Sequence, residues 1–164
     1  MHNIFLIGFM GVGKSTIARL LARELEMDLV EMDETIEAEA GMSINEIFDK
    51  YGEGHFRDLE TELVERIARA GGVVVSCGGG TVLRQENVAM MKLSGKIIFL
   101  SATPETIYER VKNSTNRPLL NGNMNVEYIA SLMEKRRAAY EGAADVVIST
   151  DGKLKTQIVE EILS

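Results

Sequence analysis

The sequence predicts an α/β fold, a three-layer sandwich with a five-stranded parallel sheet flanked by helices. Three observations lead there. Five short apolar runs recur along the chain, and between them lie longer stretches whose apolar residues follow helical spacing. Strands that alternate with helices in this way pair in parallel through right-handed crossovers. The 164 residues suit one domain with a single core, and no repeat, low-complexity tract or linker divides them. A single domain over 1–164 is therefore expected.

The elements follow in order. Asn3–Ile7 is an apolar strand that ends at Gly8. Residues 15–27 form a helix, with Ile17, Leu20, Leu21 and Leu25 near one face. Residues 29–31 make a short strand, and 33–40 a helix stopped by Gly41. Ser43, with Glu46 three residues later, is a capping box that opens a second short helix ending near Gly52. Glu53–Ala70 is a long helix closed by Gly71 and Gly72. Val73–Ser76 is β-branched and apolar, a buried strand that runs into Gly78, Gly79 and Gly80. Residues 85–92 are helical and 96–100 form a strand. Thr103 caps the next helix, and Pro104 sits in its first turn, where a missing N–H is harmless. Residues 113–125 are rich in Asn and Gly, contain Pro118 and read as a loop. A helix over 125–140, a strand over 145–149 and a closing helix over 153–163 complete the chain. Ligands of such sheets sit at the carboxyl ends of the strands. The loops after Ile7, Glu31, Ser76 and Leu100 should therefore surround the site.

Composition narrows the partners. A net charge of -7 disfavours nucleic acid and anionic membranes, and suits a small anionic ligand held by locally converging arginines. No apolar run approaches the ~18 residues of a membrane span. The apolar start has no lysine or arginine ahead of it and no small-residue cleavage site, so it reads as a buried strand and not a leader. The single cysteine, Cys77, cannot close an internal disulfide, which fits a reducing compartment. A cytoplasmic monomer with a small-molecule substrate is expected.

The strongest motif follows the first strand. Gly8-Phe9-Met10-Gly11-Val12-Gly13-Lys14-Ser15 fits G-x-x-x-x-G-K-[ST] throughout, with a strand before it and a helix after it. This is a phosphate-binding P-loop. Its glycines let the backbone approach a phosphate, and successive N–H groups with the positive helix end form an anion cradle. Gly11, Val12, Gly13, Lys14, Ser15 and Thr16 are the candidate ATP contacts. Lys14 would reach the β- and γ-phosphates, and the Ser15 hydroxyl would hold Mg²⁺. The Asn-Lys-x-Asp of GTPases is absent, and neither 73–76 nor 96–100 ends in the aspartate of motor ATPases. A compact kinase remains.

Four features fall where an acceptor should bind. Glu31 and Asp33 flank Met32; on an extended segment both carboxylates face one side, one for the metal and one for a hydroxyl proton. Asp33 reads equally as a helix N-cap. Arg57 is a candidate ligand or a solvated helix arginine. Gly78, Gly79 and Gly80 form either a backbone platform for a ligand or a plain loop. Arg136 follows Val126, Ile129 and Met133 on the inward stripe of its helix, and a buried guanidinium needs an anion such as a carboxylate. At the edge of that stripe it would reach solvent instead. Arg117, centred in the polar segment 112–125, reads as a cation that acts from a mobile lid on the charge that develops in phosphoryl transfer, or as an incidental arginine on a disordered surface loop.

In order and spacing these pieces resemble the shikimate kinase family, nearly end to end. They are the glycine loop through Thr16, Asp33, Phe56-Arg57 with Glu60, Gly78 to Gly80, Arg117-Pro118-Leu119-Leu120, and Arg136 with Tyr140, followed by Ala144-Asp145. The resemblance implies ATP- and Mg²⁺-dependent phosphorylation of the 3-hydroxyl of shikimate. It implies that Asp33, Arg57, Gly79 and Arg136 hold shikimate, and an acceptor-binding helical segment of about 33–61 is expected. Asp33 would act as base or positioner, Lys14 and Arg117 would neutralise the phosphoryl group, and Arg110 would stack on adenine. The family pattern has Asp-x-Asp where this chain has Glu31-Met32-Asp33, a carboxylate one methylene longer. Two rivals stand beside this reading: a kinase for another hydroxy acid such as gluconate, and a nucleotide-binding regulator without transfer activity.

Overall fold

The computed structural model describes residues 2–112 and 125–164. Five strands form one sheet: β1 (Asn3–Ile7), β2 (Asp28–Glu31), β3 (Val73–Ser76), β4 (Gly95–Ser101) and β5 (Val146–Ser149). Their spatial order is β2-β3-β1-β4-β5, and every pairing is parallel. Eight α-helices accompany them among the described residues: α1 (Lys14–Leu25), α2 (Met32–Ala40), α3 (Ile44–Tyr51), α4 (Glu53–Ala70), α5 (Gln85–Ser94), α6 (Pro104–Val111), α7 (Val126–Ala143) and α8 (Lys155–Leu163).

The strand order dictates where the helices go. From β1 the chain crosses towards one edge to make β2, and from β3 it crosses towards the other to make β4. Right-handed crossovers in opposite directions put their helices on opposite faces. Helix α1 accordingly packs with α8, and α5 packs with α4. The loops leaving β1 and β3, which are neighbours, therefore diverge and open a crevice at the carboxyl edge.

The middle of the sheet is dry. Phe5, Leu6 and Ile7 of β1, Val74 and Val75 of β3, and Ile97, Ile98 and Leu100 of β4 are all buried. Strands covered on both faces read as continuous apolar runs, which is how they stand out in the sequence. Each such side chain contributes about 1.5–3 kcal/mol by burial. Asn3 is buried too, and its amide bridges Ile67 O (3.2 Å) and Val73 N–H (3.0 Å), tying the end of α4 to the start of β3.

Several boundaries differ from expectation. Helix α1 stops at Leu25, because Glu26 takes a left-handed φ of 55° and the Met27 N–H turns back to Ala22 O at 2.9 Å. A single 3₁₀ turn, Thr81–Leu83, follows the glycine run. Helix α7 runs on to Ala143 and α8 begins only at Lys155. The larger correction concerns Glu31 and Asp33. Strand β2 ends at Glu31 and the helix starts at Met32, so the period-two argument fails and Asp33 stands at the second helical position. The N-cap position belongs to Glu31, not Asp33, and its side chain makes no capping bond. The expected caps at Ser43 and Thr103 are formed, with Ser43 Oγ accepting from Glu46 N–H at 3.2 Å.

Candidate active site

A cavity of about 720 Å³ opens at the carboxyl edge of the sheet, at the crevice between the β1 and β3 loops. One wall is the P-loop. Gly11 and Gly13 take left-handed φ values of 84° and 94°, which side chains disfavour, and a methyl group on Gly11 would lie 2.8 Å from Val111 Cγ1. Lys14 is the first residue of α1, and its ammonium donates to Gly8 O (2.7 Å) and Phe9 O (3.2 Å) across the loop. Helix α1 has no acidic residue in its first turn, so its positive end faces the cavity without an internal counter-charge. Arg110, from α6, donates to Gly11 O at 3.1 Å and to Thr150 Oγ1 at 3.5 Å.

The opposite wall is the acceptor side. Arg57 of α4 is nearly buried, with 12% of its side chain exposed. It pairs with Glu60 at 2.6 Å and Glu53 at 3.2 Å, and its guanidinium lies 5.3 Å from the Phe56 ring centre. Glu60 is fully buried and also accepts from Thr81 Oγ1 at 2.8 Å. Burial pushes the Glu60 carboxyl up, while Arg57 and Thr81 oppose the rise. Burial likewise pulls on the Arg57 guanidinium, but Glu60 and Glu53 outweigh it and hold the cation firmly protonated. Tyr140 donates to Gly79 O at 2.6 Å, and its ring packs on Phe99 at 5.1 Å. Burial raises the Tyr140 hydroxyl above its ordinary range, with Arg136 beside it working the other way.

The glycine run also admits the site's own side chains. None of Gly78, Gly79 and Gly80 has a positive φ. A side chain there would displace the site's own charged groups. A methyl group on Gly78 would meet Glu60 Oε2 at 2.8 Å and Asp33 Oδ1 at 2.9 Å. On Gly79 it would stand 3.1 Å from Arg136 Nη1, and on Gly80 it would collide with the Arg57 guanidinium. The glycines admit Asp33, Arg57, Glu60 and Arg136 against the backbone.

The cavity thus gathers Gly11, Gly13, Lys14, Ser15, Thr16, Asp33, Arg57, Gly78, Gly79, Gly80, Arg110 and Arg136. Val12 is not among its lining residues; its side chain is buried and its N–H turns back to Phe9 O at 3.4 Å. Arg117 and the expected lid lie outside the described residues. Among the lining residues to which the sequence assigns no role are Glu60 and Lys155. Glu60 carried a local signal, since Arg57 and Glu60 stand three apart on one helix, the spacing of an ion pair. Lys155 reaches the P-loop only through tertiary packing. The donor set also fits a hard cation: the Ser15 hydroxyl lines the cavity, as does Glu31, whose Oε1 is buried without a hydrogen-bond partner. The Glu31 carboxylate holds the neighbouring Glu34 carboxyl above its ordinary range.

A parallel sheet with a P-loop at its switch point, facing a pocket of arginines and carboxylates, defines the class of P-loop phosphotransferases. The particular family comes from comparison. The family model described as shikimate kinase matches residues 10–164. The shikimate kinase of Thermodesulfovibrio yellowstonii is 45% identical over 163 residues, covering 99% of this chain and 94% of that protein. The one from Persephonella marina is 47% identical, covering 99% and 98%. A solved shikimate kinase from Acinetobacter baumannii, in complex with shikimate, superposes with a TM-score of 0.94 at 31% identity, covering 99% of this chain and 91% of that one. The chain belongs to the shikimate kinase family.

Proposed function

We propose that the chain transfers the γ-phosphoryl group of ATP to the 3-hydroxyl of shikimate, giving 3-phosphoshikimate and ADP. One observation carries the reading most directly. A P-loop and a pair of inward arginines, Arg57 and Arg136, line the same cavity, with the Asp33 carboxylate in it. The relative solved with shikimate supports the choice of acceptor. The planar guanidinium fork suits the acceptor's carboxylate, and two such cations select an anionic polyol over a neutral one.

In the reaction the acceptor oxygen forms a bond to the γ-phosphorus, and the bond from that phosphorus to the β–γ bridging oxygen breaks. The hydroxyl proton passes to Asp33, and the electron pair of the broken bond stays on ADP. Lys14 neutralises charge on the phosphate chain, and Arg117 supplies a further cation to the transferring group. Mg²⁺ would be held by Ser15, with Glu31 beside it, and would supply charge neutralisation at the phosphates. The acceptor-binding segment of about 33–61 and a lid of about 112–125 are parts of the same proposal. So are a monomeric state and a cytoplasmic location, the latter in keeping with one buried free cysteine. Among the described residues no helix is long and apolar enough to cross a membrane.

The test is ADP release from Mg-ATP with shikimate, with gluconate and with neither. Release that depends on shikimate alone is the expected result. Release with gluconate would replace the acceptor, and ATP binding without any stimulation would leave only a nucleotide-binding regulator.

A further inference from the structure

We infer that Lys155 is a further nucleotide-binding residue, whose ammonium engages the phosphate chain of bound ATP or ADP from the α8 side. The inference rests on the reading of the P-loop as the phosphate site. Lys155 lines the same cavity as Lys14, Ser15 and Arg110. A methyl group built on Gly13 would lie 3.6 Å from Lys155 Cε and 3.7 Å from its Nζ, so the ammonium rests against the P-loop backbone.

Both helix ends at this corner are positive. Gly13 is the N-cap of α1 and Lys155 is the first residue of α8, so two positive helix ends converge here. Neither helix has an acidic residue in its first turn. A lysine at that position opposes the dipole of its own helix. Lys14 and Arg110 line the same cavity as like charges, and the carboxylates of Glu31, Asp33, Glu34, Glu37 and Glu60 line it from other elements. Lys153, two residues earlier, is used structurally and pairs with Glu161 at 2.8 Å. Lys155 makes no ion pair among the described residues. An arrangement that costs the empty protein stability is offset when an anion enters, and here the anion is a polyphosphate.

The approach is also preorganised. Thr150 Oγ1 donates to Ser101 O at 2.9 Å, Thr103 N–H donates to the Asp151 carboxylate at 3.2 Å, and Leu154 N–H donates to Gln157 Oε1 at 2.7 Å. These bonds fix the backbone that leads into α8, so the position from which the Lys155 side chain sets out is set before the ligand arrives.

The test compares wild type, Lys155→Gln and Lys155→Arg by calorimetric titration with ADP at low and high KCl, and by thermal melting without ligand. Lys155→Gln is expected to weaken ADP binding about fivefold at low salt, the upper range for an exposed charge pair, and to lessen its salt dependence. The ligand-free variant is expected to melt about 1–3 °C higher, because the cation no longer opposes the helix dipole. Lys155→Arg should restore affinity. ADP affinity unchanged in Lys155→Gln would overturn the inference. So would weakened binding with an undiminished salt dependence, since Lys155 would then act through packing. Failure of the wild type to bind ADP would bring down the P-loop reading, and this inference with it.

Discussion

Replacing Glu60 with alanine removes the carboxylate that holds Arg57 in place. Glu60 is fully buried and bonds Arg57 at 2.6 Å and Thr81 at 2.8 Å. Its loss strands a guanidinium of which only 12% is exposed, leaving it the solvent-facing Glu53 at 3.2 Å. Breaking a buried ion pair from one side costs roughly 3–5 kcal/mol, and the surviving Glu53 contact puts this case near the lower end. For a chain of 164 residues, a loss of about 3 kcal/mol lowers the melting temperature by roughly 6–12 °C. The released arginine also turns away from Gly80, where it now packs against the backbone. If Arg57 clamps the acceptor, a loss of about 1–2 kcal/mol of binding raises the KM for shikimate roughly 5- to 30-fold, with the KM for ATP unchanged. Urea denaturation and steady-state ADP release measure the two effects separately. Glu60→Gln keeps a shape close to the original and should fall between. A variant that loses the predicted stability yet keeps its shikimate KM would refute the reasoning, because Arg57 would then be a structural partner and not a clamp.

Three further outcomes are expected. Arg136→Ala, read in the same kinetic assay, should raise the shikimate KM roughly 10- to 100-fold through loss of a charge-assisted fork, and leave ADP binding by calorimetry intact. Equal loss of both would make Arg136 a packing residue. Cys77 borders the cavity but is buried, and burial holds its thiol far above the ordinary range, with Glu60 and Asp33 adding to the rise and Lys14 opposing it. A colorimetric thiol reagent should therefore label the native protein slowly and the urea-unfolded protein at once; prompt native labelling would contradict the burial. Arg66 grips Glu39 through two bonds of 2.7 and 2.9 Å and holds its carboxyl below the ordinary range. A depressed carboxyl contributes stability above its unfolded pKa and loses it as pH falls through the folded one. Arg66→Ala should return the NMR-titrated Glu39 to ordinary carboxylate behaviour, and remove that part of the acid-side stability loss.

The sequence by itself determined whatever is carried by neighbouring residues. The P-loop is eight consecutive residues between a strand and a helix, so its chemistry is legible in one line of text. The strands at the middle of the sheet betray themselves as unbroken apolar runs, and the Ser43–Glu46 and Thr103–Pro104 caps satisfy local backbone groups within one turn. Arg57 with Glu60 was half visible through helical spacing. Tertiary structure decided the rest. Whether Asp33 caps a helix depends on where β2 gives way to α2, a boundary one residue wide that propensity does not resolve. The glycine run reads from the sequence as a platform for a ligand or a plain loop, and that four charged side chains also seat against it is decided only by α2, α4 and α7 packing there. Lys155 is the extreme case. It lies far along the chain from Gly13, and no periodicity links them. Only the packing of α8 against α1 sets its ammonium beside the P-loop, because parallel crossovers bring distant helix starts to the same edge of the sheet.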